Sequence, residues 1–159
     1  FDFIKNKGDK NIYAPVTGKC VDITDCSDIT FSQKLLGDGF VIIPEDDLIC
    51  SPCEGTIAMI FPTKHSFGIK MKDKTEIIVH IGINTVDLNG VGFEMLCSVG
   101  QKVKKGTTIV KVDNKLLKEK GYDNSVIVIV SESHQVHKKH LNEIVKKGET
   151  IIEGQYEDY

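Results

Sequence analysis

Short apolar stretches rich in Val, Ile, Thr and Phe follow one another along the chain, and Gly, Asp, Asn or Pro interrupts them roughly every 8 to 12 residues. This spacing is typical of β-strands separated by turns. The predicted strands cover residues 12–23, 40–43, 55–61, 65–71, 76–83, 93–96, 108–112, 126–130 and 150–152. Helical turns are predicted at residues 28–36, between Ser27 as cap and Gly37 as stop, and at 115–120 before Gly121. The pattern predicts an all-β fold with a few short helical turns.

Two sequence segments each recur once. IYAPVTG at residues 12–18 is echoed by ICSPCEG at 49–55, and VKKGTTI at 103–109 is echoed by VKKGETI at 145–151. Repeated strand–turn–strand units suggest an antiparallel β-sandwich built by duplication. Because a solenoid needs three or more repeats, that architecture is not expected.

The composition is that of one ordinary globular domain. The chain has 159 residues, 40% of them hydrophobic, and its 20 basic and 23 acidic residues give a net charge of −3. The longest aliphatic run, residues 126–130, is far shorter than the roughly 20 residues of a membrane span. The first ten residues lack the features of a secretion signal, so a cytoplasmic location is expected. We expect a flexible lead at 1–12, a domain at 13–152 and an acidic tail at 153–159.

The types of basic residue and the cysteines narrow the possible functions. All 20 basic residues are lysines, and without the planar guanidinium group of arginine a nucleic-acid partner is not expected. The odd number of scattered cysteines predicts free thiols in a reducing compartment. They are Cys20, Cys26, Cys50, Cys53 and Cys97.

Two histidines interrupt consecutive predicted strands. Alternation over residues 63–71 places Thr63 and His65 on one face, and His80 interrupts a strand that is apolar on both faces. A two-residue turn at 73–74 would put His65 diagonal to His80, and one at 72–73 would pair them directly. A three-residue loop would instead move one imidazole to the far face.

A histidine in a buried strand loses hydration and needs partners for its ring nitrogens. Two histidines on one face, with a threonine hydroxyl beside them, are better explained as a site than as core residues. The chemistry left open is a histidine nucleophile with a helper, or two ligands of a metal ion.

The segments around these histidines resemble a known family. PTKHSFG at 62–68 and IVHIGINTV at 78–86 look like the signature of the glucose-type enzyme IIA of the bacterial phosphoenolpyruvate-dependent sugar phosphotransferase system. The match extends over residues 13–152. Further matching blocks are APVTG at 14–18, FSQK at 31–34, GDG at 37–39, LNGVGF at 88–93 and GQKVKKG at 100–106. The resemblance implies a barrel-sandwich hybrid with a duplicated hybrid motif.

The resemblance also implies a phosphocarrier. The family accepts a phosphoryl group from phosphohistidine on the small protein HPr and passes it to a cysteine on the IIB domain of a sugar permease. The implied acceptor is Nε2 of His80, whose Nδ1 donates to the backbone carbonyl of Gly82. His65 would stabilise the transferring phosphoryl group, and Thr63 would orient His65. The only cofactor implied is the covalent phosphate on His80.

The family docks its partners on an apolar rim flanked by acidic residues. The matching rim positions are Ile29, Phe31, Leu35, Phe61, Ile78 and Val86. The acidic positions are occupied by Asp28 and by Asn84, where the family usually has Asp. The loss of one carboxylate is expected either to weaken attraction to a basic HPr or to reduce repulsion of phosphate, and so to change partner affinity rather than the chemistry. Ser66 stands where alanine is customary, and the turn at 73–74 lacks the usual glycine.

Two other classes of function are considered. A zinc-dependent hydrolase of related β fold would need an HxxxD and an HxH ligand pair, and neither occurs. A regulator would bind permeases or glycerol kinase through the same face, with zinc shared between His65, His80 and a partner's carboxylate. The HQVHKKH segment at 134–140 is interpreted as solvated rather than metal-binding. Contact with a membrane is expected only through the permease.

Overall fold

The computed structural model describes residues 8–154. Their strands are β1 (Ile12–Tyr13), β2 (Gly18–Asp22), β3 (Gly37–Pro44), β4 (Leu48–Cys50), β5 (Gly55–Ile60), β6 (Ser66–Lys70), β7 (Glu76–Ile81), β8 (Phe93–Met95), β9 (Lys102–Val103), β10 (Thr108–Val112), β11 (Val126–Ser131), β12 (Glu143–Val145) and β13 (Thr150–Ile152). The helices are α1 (Ile29–Ser32) and α2 (Asn114–Glu119), with 3-10 turns at Ile23–Asp25 and Thr85–Leu88. Within residues 8–154, no helix is long and apolar enough to span a bilayer.

The strands form antiparallel sheets, which confirms the predicted fold class. The large sheet has the order β12-β2-β3-β11-β7-β6-β5-β9, and smaller sheets have the orders β4-β10-β8 and β1-β13. The main core lies on one face of the large sheet, where Phe40, Phe67 and Val128 are fully buried. Because β3 and β11 also bury their other face, a second, smaller cluster forms there. Its members are Ile23, Phe31, Val41, Ile127 and Ile129.

The duplication seen in the sequence is present in the backbone pairing. β1 pairs with β13 as β4 pairs with β10, and β2 pairs with β12 as β5 pairs with β9. The two echoed turns also bond to each other in equivalent ways. Tyr13 N donates to Pro52 O at 2.7 Å, and the corresponding Cys50 N donates to Pro15 O at 2.8 Å. Two copies of one unit therefore interlock at the centre of the sandwich.

Several predicted boundaries are wrong for local reasons. The single strand expected at 12–23 divides into β1 and β2, because the turn between them bonds across the molecule. The helix expected at 28–36 is only the four residues of α1, and Asp28 rather than Ser27 caps it by accepting from Thr30 N. Strands β4, β9 and β12 were not predicted, since two or three residues are too few to give a clear alternation.

The chain ends agree only partly with the expected boundaries. Ile12, assigned to the flexible lead, is 4% exposed and pairs with Ile152. Residues 1–7 of the lead and residues 155–159 of the acidic tail lie outside the described residues. Glu153, at the start of the expected tail, forms an ion pair with Lys139 at 2.5 Å.

A buried lysine holds the segment that follows β11 against the large sheet. Lys138 Nζ lies 2.5 Å from Oδ1 of both Asp22 and Asp38, and its side chain is 5% exposed. Burial alone would raise the pKa of Asp38, but the hydrogen bond from Lys138, with those from the amides of Val136 and Gly39, outweighs burial and holds that pKa below its usual range. The carboxylate is thus fully paired.

Replacing Lys138 by methionine should leave the buried Asp38 with only the more exposed Lys34, 3.5 Å from its Oδ1, as a countercharge, because methionine keeps the volume and removes the ammonium group. We expect the free energy of unfolding at pH 7 to fall by about 3 kcal/mol, measured by urea denaturation. Lys139→Met is the matched control, since its partner Glu153 is solvent-exposed, and it should change little. Equal losses in the two variants would contradict a special role for the buried lysine.

Candidate functional site

The two histidines predicted as a site are in contact. The ring centroids of His65 and His80 lie 4.9 Å apart with the planes at 79°. Each imidazole also packs against a phenylalanine: Phe61 lies 5.3 Å from His65, and Phe31 lies 4.9 Å from His80. His65 is 3% exposed and His80 is half-buried. The four rings form one cluster beside the start of β6 and the end of β7.

The hairpin that brings the histidines together differs from the prediction. Met71 N donates to Thr75 O at 2.8 Å, so the hairpin closes on a three-residue loop, 72–74, and Ser66 rather than His65 lies opposite His80. Both even-length turns considered from the sequence are therefore wrong. The expected consequence, imidazoles on opposite faces, is also not observed.

A turn before β6 explains why the rings still meet. Lys64 N donates to Phe61 O at 2.8 Å, and Lys64 has φ +63°. His65 therefore lies just outside the regular strand, while its carbonyl still accepts from Ile81 N at 2.7 Å. Face alternation holds only inside a regular strand, so it does not fix the direction of the His65 side chain.

Hydrogen bonds determine which ring nitrogens are available. His80 Nδ1 lies 2.9 Å from Gly82 O, and because a carbonyl only accepts, Nδ1 carries the proton and donates it. The Nε2 lone pair of neutral His80 is then free. His65 Nδ1 lies 2.7 Å from Thr63 Oγ1, a group that can donate or accept. If the hydroxyl donates, His65 presents Nε2–H to whatever occupies the space beside His80.

The carbonyl that orients His80 depends on a glycine. Gly82 has φ +79°, and a Cβ at this position would collide with Cγ2 of Thr85. Thr85 is fully buried, and its hydroxyl donates to Ile81 O. Sequence reasoning missed Thr85, although its position three residues after the glycine, in a motif already singled out, was a usable signal.

Burial keeps the imidazole pair uncharged. It lowers the pKa of His80 from 6.5 to about 4, and repulsion by His65 adds to the effect, while the bond to Gly82 and the charge of Asp28 oppose it. Burial also lowers the pKa of His65. At neutral pH His80 is therefore an uncharged nucleophile rather than an imidazolium.

The residues predicted as a docking rim differ in exposure to solvent. Four of them are exposed apolar side chains, namely Ile29 (65%), Leu35 (67%), Phe61 (44%) and Val86 (43%). Phe31, in contrast, is 7% exposed and lies under the rim against His80, and Ile78 packs on the same second cluster. Exposed apolar side chains grouped beside a site are typical of a binding surface.

The two polar rim positions are both at helix starts. Asp28 caps α1, and Asn84 is exposed with φ +61° at the start of the 3-10 turn that follows β7. Asparagine tolerates this left-handed conformation better than most residues. Asn84 makes no capping hydrogen bond with its side chain, so the amide faces solvent.

In the described part of the chain, no third ligand for a metal ion adjoins the imidazole pair. Among residues 8–154, no group of three or more His, Cys, Asp or Glu side chains is arranged to hold a metal. His134 and His137 are exposed, and His140 lies 3.4 Å from the carboxylate of Glu143. The arrangement present is a neutral nucleophile, a neighbouring hydrogen-bond donor and an apolar rim.

Comparisons with known proteins agree with this geometry. The sequence model of the family described as "phosphoenolpyruvate-dependent sugar phosphotransferase system, EIIA 1" matches residues 10–136. The chain is 43% identical over 143 residues to the PTS system glucose-specific EIIA component of Halalkalibacterium halodurans, covering 89% of this chain and 83% of that protein. It is 40% identical over 148 residues to the corresponding component of Staphylococcus epidermidis, covering 91% and 89%.

A solved structure and a longer relative extend the comparison. Glucose permease IIA from Mycoplasma capricolum superimposes with a TM-score of 0.81 at 34% identity, covering 89% of this chain and 93% of that one. The glucoside-specific EIICBA component of Staphylococcus carnosus is 37% identical over 148 residues, which is 92% of this chain but 21% of that protein. The zinc-hydrolase alternative finds no support in these comparisons.

Stability should decrease as the pH falls from about 6.5 to about 4. The pKa of His80 is about 4 when folded and about 6.5 when unfolded, so between these values the unfolded state binds an extra proton and acid favours unfolding. The contribution is on the order of 2–3 kcal/mol. Urea denaturation at pH 7 and pH 4 should show a smaller loss for His80→Gln than for wild type. Equal losses would contradict the low pKa of His80.

Proposed function

The chain belongs to the EIIA 1 family of the phosphoenolpyruvate-dependent sugar phosphotransferase system, and from that premise we propose that it carries a phosphoryl group on His80. The donor is phosphohistidine on HPr, and the recipient is a cysteine on the IIB domain of a sugar permease. The observation that carries the proposal is the buried imidazole pair, in which the Gly82 carbonyl occupies Nδ1 of His80 and leaves its Nε2 free.

The transfer needs no proton movement at His80. The Nε2 lone pair attacks the phosphorus atom, the P–N bond of the donor breaks, and its electron pair returns to the donor imidazole. Nδ1 keeps its proton and its bond to Gly82 O throughout. In the second transfer a thiolate of the IIB domain attacks phosphorus, and the electron pair returns to Nε2. Positioning and charge stabilisation are the main tasks of a protein in such transfers.

His65 provides the charge stabilisation. Negative charge spreads over the equatorial oxygens of the moving phosphoryl group, and an N–H donor beside it lowers the energy of that state. With Thr63 donating to Nδ1, Nε2–H of His65 is such a donor, next to the ring of His80. Burial adds to this effect, because hydrogen bonds to charge are stronger where water is excluded.

The exposed rim is the proposed docking surface for both protein partners. Phe61 packs on His65, Ile29 lies on the helix that carries Phe31 against His80, and Val86 lies in the turn after β7. A partner that covers these side chains and Leu35 would also remove water from the transfer. The relatives' names include glucose-, glucoside- and glucosamine-specific components, so the sugar handled is one of this class and is chosen by the permease. Unphosphorylated protein would present the same surface to other permeases or glycerol kinase, where zinc could bridge the imidazoles and a partner's carboxylate.

Incubation with phosphoenolpyruvate, enzyme I and HPr should add one acid-labile phosphate to the wild-type protein, as measured by intact-mass spectrometry. His80→Gln should remain unmodified, because the nucleophile is gone. His65→Gln should still accept phosphate but pass it to a IIB domain about 100-fold more slowly, since one charge-stabilising donor is lost.

The controls separate the site from the rest of the molecule. His134→Gln removes an exposed histidine outside the ring cluster and should be phosphorylated like wild type. A folded wild-type protein that takes up no phosphate, or a His80→Gln variant that does, would overturn the proposal.

Restoring a carboxylate at residue 84 should strengthen the encounter with a basic HPr. Asn84→Asp places a negative charge on the exposed rim, so the association rate constant should rise several-fold at low salt and return towards wild type at 0.5 M salt. Stopped-flow fluorescence with labelled HPr would measure it. Asn142→Asp is the matched control, because Asn142 is also exposed with φ +67° but precedes β12, four strands from β7. An equal gain in both variants would show that net charge, not the rim, is responsible.

A further inference from the structure

The Gly82 carbonyl that selects the tautomer of His80 is held from behind by the segment that precedes β11. The peptide between Gly82 and Ile83 is trans, so its C=O and N–H point in opposite directions. The carbonyl accepts from His80 Nδ1 at 2.9 Å, and the N–H donates to Asp123 O at 3.0 Å. Gly82 N donates in turn to Ser125 O at 2.7 Å. Both amides beside the critical carbonyl therefore bond to residues 123–125.

The side chain of Asp123 sets the shape of that segment. Its Oδ1 accepts from Ser125 N at 2.9 Å and from Ser125 Oγ at 2.6 Å. A carboxylate that bonds to the backbone two residues ahead forms an Asx turn, which fixes the local backbone. The two carbonyls that receive the Gly82 and Ile83 amides are those of Asp123 and Ser125 themselves. Fixing the turn therefore fixes the peptide that faces His80.

The same carboxylate also bonds to the loop that leads into α1. Asp123 Oδ2 accepts from Ser27 Oγ at 3.3 Å, and Ser27 lies just before α1. The α1 helix carries Phe31, which packs against His80 at 4.9 Å between centroids. One side chain thus connects the segment that holds the Nδ1 acceptor with the loop that leads to the ring's apolar neighbour. Asp123 itself does not touch His80 or the transferred group.

We propose that Asp123 is a positioning residue for phosphoryl transfer, which holds the Gly82 carbonyl on Nδ1 of His80 and so keeps the Nε2 lone pair available. The proposal rests on the proposed function of His80. It assigns a role to a residue that is 43 positions from His80 in the sequence and lies in the segment just before β11, the strand that pairs with β7.

The physical need for this role comes from the chemistry of neutral imidazole. The proton of an uncharged ring can reside on either nitrogen, and the hydrogen bond of one nitrogen decides the tautomer. If the Gly82 carbonyl turns away, a larger fraction of His80 carries its proton on Nε2, where no lone pair is left to attack phosphorus. A shift in position of about 1 Å is enough to slow such a transfer substantially.

The test uses the tautomer as its readout. Ring ¹⁵N shifts of His80 in the unphosphorylated, full-length protein at pH 7 distinguish Nδ1–H from Nε2–H. Asp123→Ala should raise the Nε2–H fraction measurably and lower the rate constant for phosphate acceptance from phospho-HPr about tenfold. Asp123→Asn keeps an oxygen acceptor for Ser125 and should restore both quantities towards wild type.

Asp73→Ala is the matched control. Asp73 makes the same type of turn, accepting from Thr75 N at 3.0 Å, but in the hairpin at the opposite end of β7. Its removal should leave the tautomer and the rate unchanged. Ser125→Ala, which removes only the hydroxyl bond, gives a milder variant in case Asp123→Ala does not fold, and it should shift both quantities slightly in the same direction.

Each outcome is decisive. An unchanged tautomer in folded Asp123→Ala, and in Ser125→Ala, would overturn the proposal. A tautomer preserved in Asp123→Asn with a rate as low as that of Asp123→Ala would overturn it in favour of a charge effect on partner binding. Failure of the wild type to accept phosphate would disprove the proposed function alone, because the ¹⁵N readout does not depend on phosphate.

Discussion

Two imidazoles in contact, inside a largely apolar cluster, must both stay uncharged at neutral pH. Burial provides this condition by lowering the pKa of both rings, and repulsion by His65 lowers the pKa of His80 further. Neutral rings then need defined tautomers, since only one nitrogen of each can act. The hydrogen bonds of His80 to Gly82 and of His65 to Thr63 select the tautomer of each ring. The surrounding structure serves to hold those few bonds in place.

The sandwich holds these hydrogen bonds in place by burying both faces of its central strands. β3 and β11 pack on the main core on one side and on the small cluster around Phe31 on the other, so β7, which pairs with β11, cannot move freely. The duplicated turns lock the two halves through equivalent backbone bonds. The functional face therefore rests on a rigid sheet, although much of it is made of turns and a four-residue helix.

Chemistry and partner recognition share one surface. In the proposed transfer a partner covers the exposed apolar rim, and the same contact excludes water from the imidazoles. Ile29 and Leu35 are exposed and would serve docking, whereas Phe31 is buried and packs against His80. Asn84 leaves this face with less negative charge than an aspartate there would give, which affects encounter with a partner rather than the transfer itself.

Alternation and repeated segments are local properties of the chain, and they were enough to predict the all-β class and the duplication. The grouping of His65, His80, Thr63 and Gly82 as one site came from the short motifs that resemble the family, since the strand register inferred from alternation was wrong. Their hydrogen bonds in the structure are those that the resemblance implied. The three-residue loop, the position of His65 outside β6 and the support that residues 123–125 give to Gly82 could be seen only in the folded molecule. Register and long-range contacts depend on packing between distant segments, which no local pattern records.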